Sequence, residues 1–180
     1  MGLPNHGPLF TPPGAERPLA NGQRPERRRQ TVDEQLEVKV ARTHSDAKLP
    51  TRGSEYAAGW DLYALEDTEV PFRQSMKLRT GLHVAIPIGY EGQVRARSSL
   101  GSKGLILPHS IGTIDADYRG ELFVLMTWIG EGDSYTVKAG ERIAQMLISP
   151  IPNVSFREVD FDDLGQTERG DGGFGSTGRF

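Results

Sequence analysis

Apolar and polar residues alternate over short stretches of this chain, and apolar residues at helical spacing are almost absent. Leu36, Val38 and Val40 alternate with polar residues, which is the period of a half-buried strand. Similar strands are predicted at 60–65, 82–86, 90–97, 121–129, 134–138, 142–149 and 154–159, with glycine and proline between them. Many short strands at regular spacing predict an all-β sandwich or jelly roll.

One turn interrupts this pattern with unusual chemistry. Apolar residues at 105–107 and 122–126 flank residues 109–120, which predicts a β-hairpin. Asp115 follows Ile114, where a strand is expected to end, and a partly buried carboxylate there could act as a general base on water. The alternative is that Asp115 and Asp117 only accept hydrogen bonds from turn amides.

A second polar stretch begins at Arg97. One helical turn is predicted over 98–103, with Ser98 or Ser99 as its N-cap, and Arg97 beside it would make an anion site. The alternative is an ordinary capped turn with surface charges.

Two polar residues lie in apolar strands. Gln145 either contacts a ligand or pairs with a neighbour. Asp61 also lies in an apolar strand, so it needs a partner, and a hydrated cation would serve.

The two ends of the chain lack a strand pattern. Residues 1–34, rich in Pro, Gly and Arg, are predicted to be a disordered extension, followed by a β domain at 35–161 and a Gly-rich C-terminal arm at 162–180. The arginines at 24 and 27–29 fit an inert tail best, with a nuclear address or a contact with nucleic acid or an anionic surface as alternatives. In the arm, glycine amides, the Arg169 guanidinium, two hydroxyls and the Phe174 ring could close over a nucleotide and its phosphates. The alternative is a flexible C-terminus that does not close over a ligand.

Composition excludes several classes of function. The chain has 180 residues, enough for one domain, with a net charge of −3 and a pI of about 5.8, which gives no overall footprint for nucleic acid. It has no cysteine, so disulfides, thiolate nucleophiles and cysteine zinc sites are excluded. No apolar run approaches a membrane span. We therefore expect no stable nucleic-acid or membrane binding, and a cytoplasmic location, or a nuclear one in a eukaryote.

Five segments, in this order, resemble the five motifs of the trimeric dUTPase family (deoxyuridine triphosphate nucleotidohydrolases). They are AGWDLYA (58–64), RSSLGSK (97–103), GTIDADYRG (112–120), GERIAQMLI (140–148) and RGDGGFGSTG (169–178). The resemblance implies an all-β, jelly-roll-like subunit with one short helix, a homotrimer with active sites at subunit interfaces, and an arm that closes a neighbour's site. It also implies hydrolysis of dUTP to dUMP and pyrophosphate, which keeps uracil out of DNA and supplies dUMP for thymidylate synthesis.

The resemblance also assigns roles to individual residues. Asp115 would be the general base for water attack on the α-phosphorus, with Mg²⁺ held mainly by the triphosphate and contacted by Asp61 through water. Tyr118 would pack on the deoxyribose and exclude a 2′-hydroxyl, and Phe174 would stack on uracil. The phosphate chain would contact Arg97, Ser98, Ser99, Gln145, Arg169, Gly175, Ser176 and Thr177, and the base would contact Gly112, Thr113, Ile114 and Phe123.

The sequence departs from the family pattern at one contact with the base. The family usually has asparagine where this chain has His109. A neutral imidazole offers one donor and one acceptor, so it could replace one asparagine contact but not both, or it could point away and leave room for water. The main alternatives to a dUTPase are a dCTP deaminase of similar fold and a non-catalytic trimer that kept the pocket. The N-terminal extension could bind a further partner.

Overall fold

The structure, a computed structural model, describes residues 35–173. The predicted extension at 1–34 and the arm residues Phe174, Gly175, Ser176 and Thr177 lie outside the described residues. All elements below belong to the compact unit Glu37–Phe180. Among the described residues, no helix is long and apolar enough to cross a bilayer.

The described part of the chain is built almost entirely from short strands, with one helical turn (α1) and one 3₁₀ turn. The elements are β1 Lys39–Arg42, β2 Thr51–Arg52, β3 Trp60–Tyr63, β4 Thr68–Pro71, β5 Ser75–Ala85, β6 Tyr90–Ala96, α1 Ser98–Gly101, β7 Leu105–Ile106, β8 Ile111–Ile114, β9 Glu121–Trp128, β10 Ser134–Val137, β11 Arg142–Pro150 and the 3₁₀ turn Phe161–Leu164.

Two main sheets enclose the hydrophobic core. One has the strand order β1-β5-β9-β7, the other has the order β2-β3-β11-β6-β8, and β10 pairs with β4 alone. Alternate residues of the facing strands are buried, for example Leu78 and Val124 from the first sheet and Leu62 and Met146 from the second. Each such side chain contributes roughly 1.5–3 kcal/mol on burial. The predicted all-β, jelly-roll-like class is confirmed.

The predicted hairpin is more complex than expected. The flanking strands β7 and β9 do pair, with Leu105 opposite Trp128. Residues 111–114, expected inside the turn, instead form β8, which pairs with β6 in the other sheet. Gly112 suggested a turn, but Ile111, Thr113 and Ile114 are β-branched and favour a strand when a partner strand is available.

Two other local predictions are wrong. The helical turn starts at Ser98, but its N-cap is Arg97 in extended conformation, and no side chain caps it. Residues 154–159, predicted as a strand, form none, and Phe156 is 98% exposed. Alternation alone does not make a strand, because the backbone also needs a neighbouring strand to pair with, and none lies beside this segment in the described part of the chain.

Candidate functional site

The five-stranded sheet brings together polar residues from three separate motifs. Asp61 of β3 lies opposite Gln145 of β11, which lies opposite Arg95 of β6. The turn after β6 adds Arg97. A pocket of about 270 Å³ at this end of the sheet is lined by Gly53, Ala57, Gly59, Asp61, Arg97, Ser98, Ser99, Arg142 and Gln145. We call it the basic pocket. It contains every predicted phosphate contact outside the C-terminal arm.

Two guanidinium groups neutralise the carboxylate of Asp61, whose side chain is 13% exposed. Its Oδ1 lies 3.2 Å from Nε of Arg97, and its Oδ2 accepts a hydrogen bond of 3.2 Å from Nη1 of Arg142. Arg97 also donates to the Arg142 carbonyl. The partner that Asp61 needs is therefore present in the protein. Arg142 was missed from the sequence, although it is a charged residue beside Gln145 in the fourth motif.

The donor set fits a hydrated magnesium ion better than a directly bound one. Among the described residues, no cluster of three His, Cys, Asp or Glu side chains could hold a metal ion. Oδ2 of Asp61 accepts one N–H group and Oδ1 forms an ion pair with Arg97, so both oxygens keep a lone pair for a water molecule. Asp61 can therefore contact the water shell of an ion whose other ligands come from a phosphate chain.

The predicted residues of the third motif and its flanks line a second pocket, between β8 and β9. It has a volume of about 300 Å³ and is lined by Lys77, His109, Thr113, Ile114, Asp115, Tyr118, Glu121, Phe123 and Leu125. An adjoining pocket of about 250 Å³ shares five of these residues and reaches Gly112. We call the two together the hairpin pocket.

Asp115 is the first residue after β8, as the sequence indicated. Its side chain is exposed in the single chain, so the expectation of partial burial is wrong here. Within residues 35–173, neither Asp115 nor Asp117 accepts a hydrogen bond from a turn amide or a side chain. The alternative role for these carboxylates, as bracing for the turn, is therefore not what the structure shows. No described N–H or O–H group occupies the Asp115 carboxylate.

Tyr118 is held against the turn that it belongs to. Its N–H donates to the Asp115 carbonyl at 3.1 Å, and its hydroxyl donates to the Glu121 carbonyl at 2.9 Å. A Cβ atom on Gly120 would collide with the ring, so glycine is needed there for this fold-back. The ring is 39% exposed and keeps one side open to the hairpin pocket.

His109 faces the hairpin pocket. It lies in the turn before β8, and its ring atoms Cε1 and Nε2 would lie 3.5 and 3.7 Å from a Cβ atom on Gly112. Its side chain lines both halves of the pocket. Whether His109 contacts the base, as one asparagine contact would, stays a prediction.

Glu121 also lines the hairpin pocket and was missed from the sequence, where it looks like an ordinary strand residue. Burial raises the pKa of its carboxyl, but hydrogen bonds from Arg79 and the Gly81 N–H, with the Arg79 charge, outweigh this and hold the pKa below its usual 4.5. The same pair raises the pKa of Arg79. Folding thus favours the ionised form of Glu121.

Acid should therefore weaken the fold through Glu121. A pKa lowered by folding contributes stability above the unfolded value, and this stability is lost as the pH falls below about 4.5. We expect urea unfolding between pH 7 and pH 3 to show a smaller loss of stability in Glu121→Gln than in the parent protein. Asp117→Asn removes a carboxylate without a hydrogen bond and serves as the control. Equal pH dependence in Glu121→Gln and the parent would contradict the prediction.

The basic pocket and the hairpin pocket share no lining residue. Asp61 and Ile111 lie three strands apart in the sheet, which is about 14 Å at the usual strand spacing. Asp115 lies four residues beyond Ile111, which adds about 13 Å along the strand. At ideal strand spacings, the Cα atoms of Asp61 and Asp115 in one chain would therefore lie roughly 19 Å apart.

The described part of the arm is not placed against either pocket. Arg169 is exposed, and its Nε donates to the Gly172 carbonyl at 2.7 Å within a local turn. Thr167 accepts the Gly170 N–H in the same turn. Neither pocket of the single chain includes a residue beyond Gln145.

Comparison with known proteins identifies the family of this chain. The dUTPase family model matches residues 45–178. The chain belongs to the dUTPase family. It is 46% identical over 146 residues to a deoxyuridine 5'-triphosphate nucleotidohydrolase of Syntrophotalea carbinolica, covering 79% of this chain and 97% of that protein. It is 39% identical over 156 residues to the enzyme of the same name from Candida albicans, covering 84% and 94%.

A solved structure agrees with this assignment. The dUTPase of Staphylococcus bacteriophage 80alpha, solved with dUPNHPP, superposes with a TM-score of 0.72 at 29% identity, covering 79% of this chain and 98% of the phage chain. The expected family and enzyme class, deoxyuridine triphosphate nucleotidohydrolase, are confirmed. The roles of individual residues stay predictions.

Proposed function

We propose that this protein hydrolyses dUTP to dUMP and pyrophosphate, with Asp115 as the general base. The observation that carries the proposal is the unpaired Asp115 carboxylate at the end of β8, beside a pocket of nucleoside size. Asp115 takes a proton from water as the water oxygen bonds to the α-phosphorus. The bond from the α-phosphorus to the bridging oxygen breaks, and pyrophosphate leaves.

The basic pocket is proposed to hold the triphosphate. Arg97 and Arg142 bring two guanidinium groups, of which Asp61 neutralises one unit of charge, so the pocket keeps a net positive charge. The hydroxyls of Ser98 and Ser99 and the Gln145 amide add donors to phosphate oxygens. Bound Mg²⁺ would neutralise charge on the triphosphate and on the leaving pyrophosphate. Asp61 would orient the water shell of that ion.

The backbone of β8 is proposed to read the base. In the order of the five-stranded sheet, β8 is an edge strand that pairs only with β6 among the described strands. Its outer N–H and C=O groups are therefore available to donate to and accept from uracil. N–H and C=O groups alternate between the two edges of a strand, so every second residue among Gly112, Thr113 and Ile114 would supply these groups. Phe123 and His109 would enclose the ring. Tyr118 would pack against the deoxyribose where a 2′-hydroxyl would otherwise fit.

A homotrimer is proposed because one chain cannot complete this site. The general base must come within about 3 Å of the water that it activates, or reach that water through one further water molecule. Asp61 must contact the water shell of an ion bound to the same triphosphate. The separation of roughly 19 Å within one sheet forbids this in a single chain. We propose that Asp115 of one subunit faces the basic pocket of a second, and that the arm at 162–180 comes from a neighbour.

Pyrophosphate release tests the reaction directly. We expect the protein with Mg²⁺ to release pyrophosphate from dUTP much faster than from dCTP, dTTP or UTP, and to slow down strongly without Mg²⁺. Ammonia is measured in the dCTP reaction, because its release would favour the deaminase. No pyrophosphate from any nucleotide would contradict the proposal and favour a non-catalytic binding role.

A further inference from the structure

The turn that carries Asp115 and Tyr118 has a dense set of internal hydrogen bonds. Besides the two bonds of Tyr118, the Arg119 guanidinium donates to the carbonyls of Ala116 and Tyr118 at 2.8 and 2.7 Å. The His83 ring donates from Nδ1 to the Arg119 carbonyl at 2.8 Å. These bonds give the turn a defined shape, and the bond from His83 also connects it to β5.

Glu121 makes a second connection between the turn and β5. It is the first residue of β9, its side chain is 13% exposed, and it reaches the neighbouring strand β5. Its carboxylate accepts hydrogen bonds from the Arg79 guanidinium, at 3.1 to 3.3 Å, and from the Gly81 N–H at 2.9 Å. The β5–β9 register shifts between Arg79 and His83, where Gly81 has φ +66°. Such a bulge leaves a backbone N–H without a partner in the ladder, and Glu121 supplies the partner.

The same residue holds Tyr118 through its main chain. The Tyr118 hydroxyl donates to the Glu121 carbonyl, so the carboxylate and the carbonyl of one residue connect the β5 bulge to the aromatic ring. We propose that Glu121, held by Arg79 and Gly81, is a positioning residue that sets Tyr118 for selection of the deoxy sugar. This inference rests on the proposed function, in which Tyr118 excludes the 2′-hydroxyl.

The structure offers a matched control at Asp67. Its carboxylate also accepts from one basic side chain, Lys138 at 2.8 Å, and from one backbone N–H, that of Ala139 at 2.8 Å. Neither Asp67 nor its partners line the basic pocket or the hairpin pocket. Asp67→Asn therefore weakens a similar connection between two chain segments without touching Tyr118.

The experiment compares kcat/KM for dUTP and UTP in the parent, Glu121→Gln and Asp67→Asn, with thermal melting of each. In Glu121→Gln the side chain keeps one acceptor oxygen but loses the charge and the second acceptor, so it cannot accept from both Arg79 and the Gly81 N–H as the carboxylate does. We expect the dUTP/UTP ratio to fall about tenfold or more, the range in which a single steric contact discriminates. Asp67→Asn should keep the parent ratio. A parent-like ratio in folded Glu121→Gln would overturn the inference.

Two further variants keep the test decisive. If Glu121→Gln does not fold, Arg79→Lys keeps the charge but loses the planar fork, and an unchanged ratio there would equally overturn the proposal. Tyr118→Phe removes the hydroxyl group that donates to the Glu121 carbonyl. If both residues act through one hydrogen bond, the double variant should lose no more selectivity than Tyr118→Phe alone, whereas additive losses would overturn the proposed route.

Failure of the proposed function has a different outcome. If the parent protein hydrolyses neither dUTP nor UTP, the dUTPase proposal fails, and the positioning role falls with it. If the parent hydrolyses dUTP selectively and the variants keep that selectivity, only the role of Glu121 fails.

Discussion

Asp115→Asn is expected to remove turnover of dUTP by about a thousandfold or more while leaving nucleotide binding intact. An amide cannot take a proton from water, and a positioned general base contributes about 10² to 10⁴ in rate. The substitution keeps the size of the side chain, and the carboxylate that it replaces accepts no hydrogen bond among the described residues. Pyrophosphate release measures the rate, and calorimetric titration with dUTP measures the binding.

Asp117→Asn is the matched control. Asp117 lies two residues further along the same exposed turn and also accepts no hydrogen bond within the described chain. It should keep turnover close to that of the parent. Full turnover in Asp115→Asn would rule out Asp115 as the base, and equal losses in both variants would point to the charge of the turn instead of to one proton acceptor.

Deletion of residues 169–180 should cost about a thousandfold or more in kcat/KM while the protein keeps its oligomeric state. The segment contains two guanidinium groups, two hydroxyls, two aromatic rings and several glycine amides. Loss of one donor that stabilises a transition state costs about 10² to 10³, and this deletion removes several donors together with the closure that excludes water. Deletion of Arg179 and Phe180 alone leaves the fifth motif intact and should have little effect. A fully active 169–180 deletion would refute the lid.

Mixing the two inactive proteins tests the proposed interface sites. Asp115→Asn and the 169–180 deletion are refolded together, so that trimers contain both kinds of subunit. If Asp115 and the arm reach a site from different subunits, some sites receive an intact copy of each, and part of the activity returns. No recovery in mixed trimers would show that one subunit supplies both.

The strand pattern and the order of the motifs predicted most of the strands and of the pocket residues, because both are local properties of the sequence. The alternation along 142–149 matches β11, and Asp61, Arg97 and Gln145 do meet in one pocket. The ion pairs of Asp61 with two arginines were not predicted. They depend on the register of β3 against β11 and on the path of the chain after β6, which no periodicity encodes.

The same limit explains the wrong predictions. Residues 154–159 have the alternation of a strand but no neighbour within the described chain, so pattern and pairing disagree. Glu121 looked unremarkable because its role depends on a bulge in β5, which lies 40 residues earlier in the chain. Both cases involve contacts between distant segments, and only the folded backbone reveals them.

In the proposed arrangement, the edge position of β8 has a consequence for how this enzyme can evolve. A nucleobase recognised by the open edge of β8 forms hydrogen bonds with its backbone N–H and C=O groups, as a further strand would. Every non-proline residue carries these groups. Side-chain substitutions along β8 leave these backbone groups unchanged, so we expect single substitutions there to have little effect on the preference for uracil. In this arrangement, a new base preference would require a change in strand register.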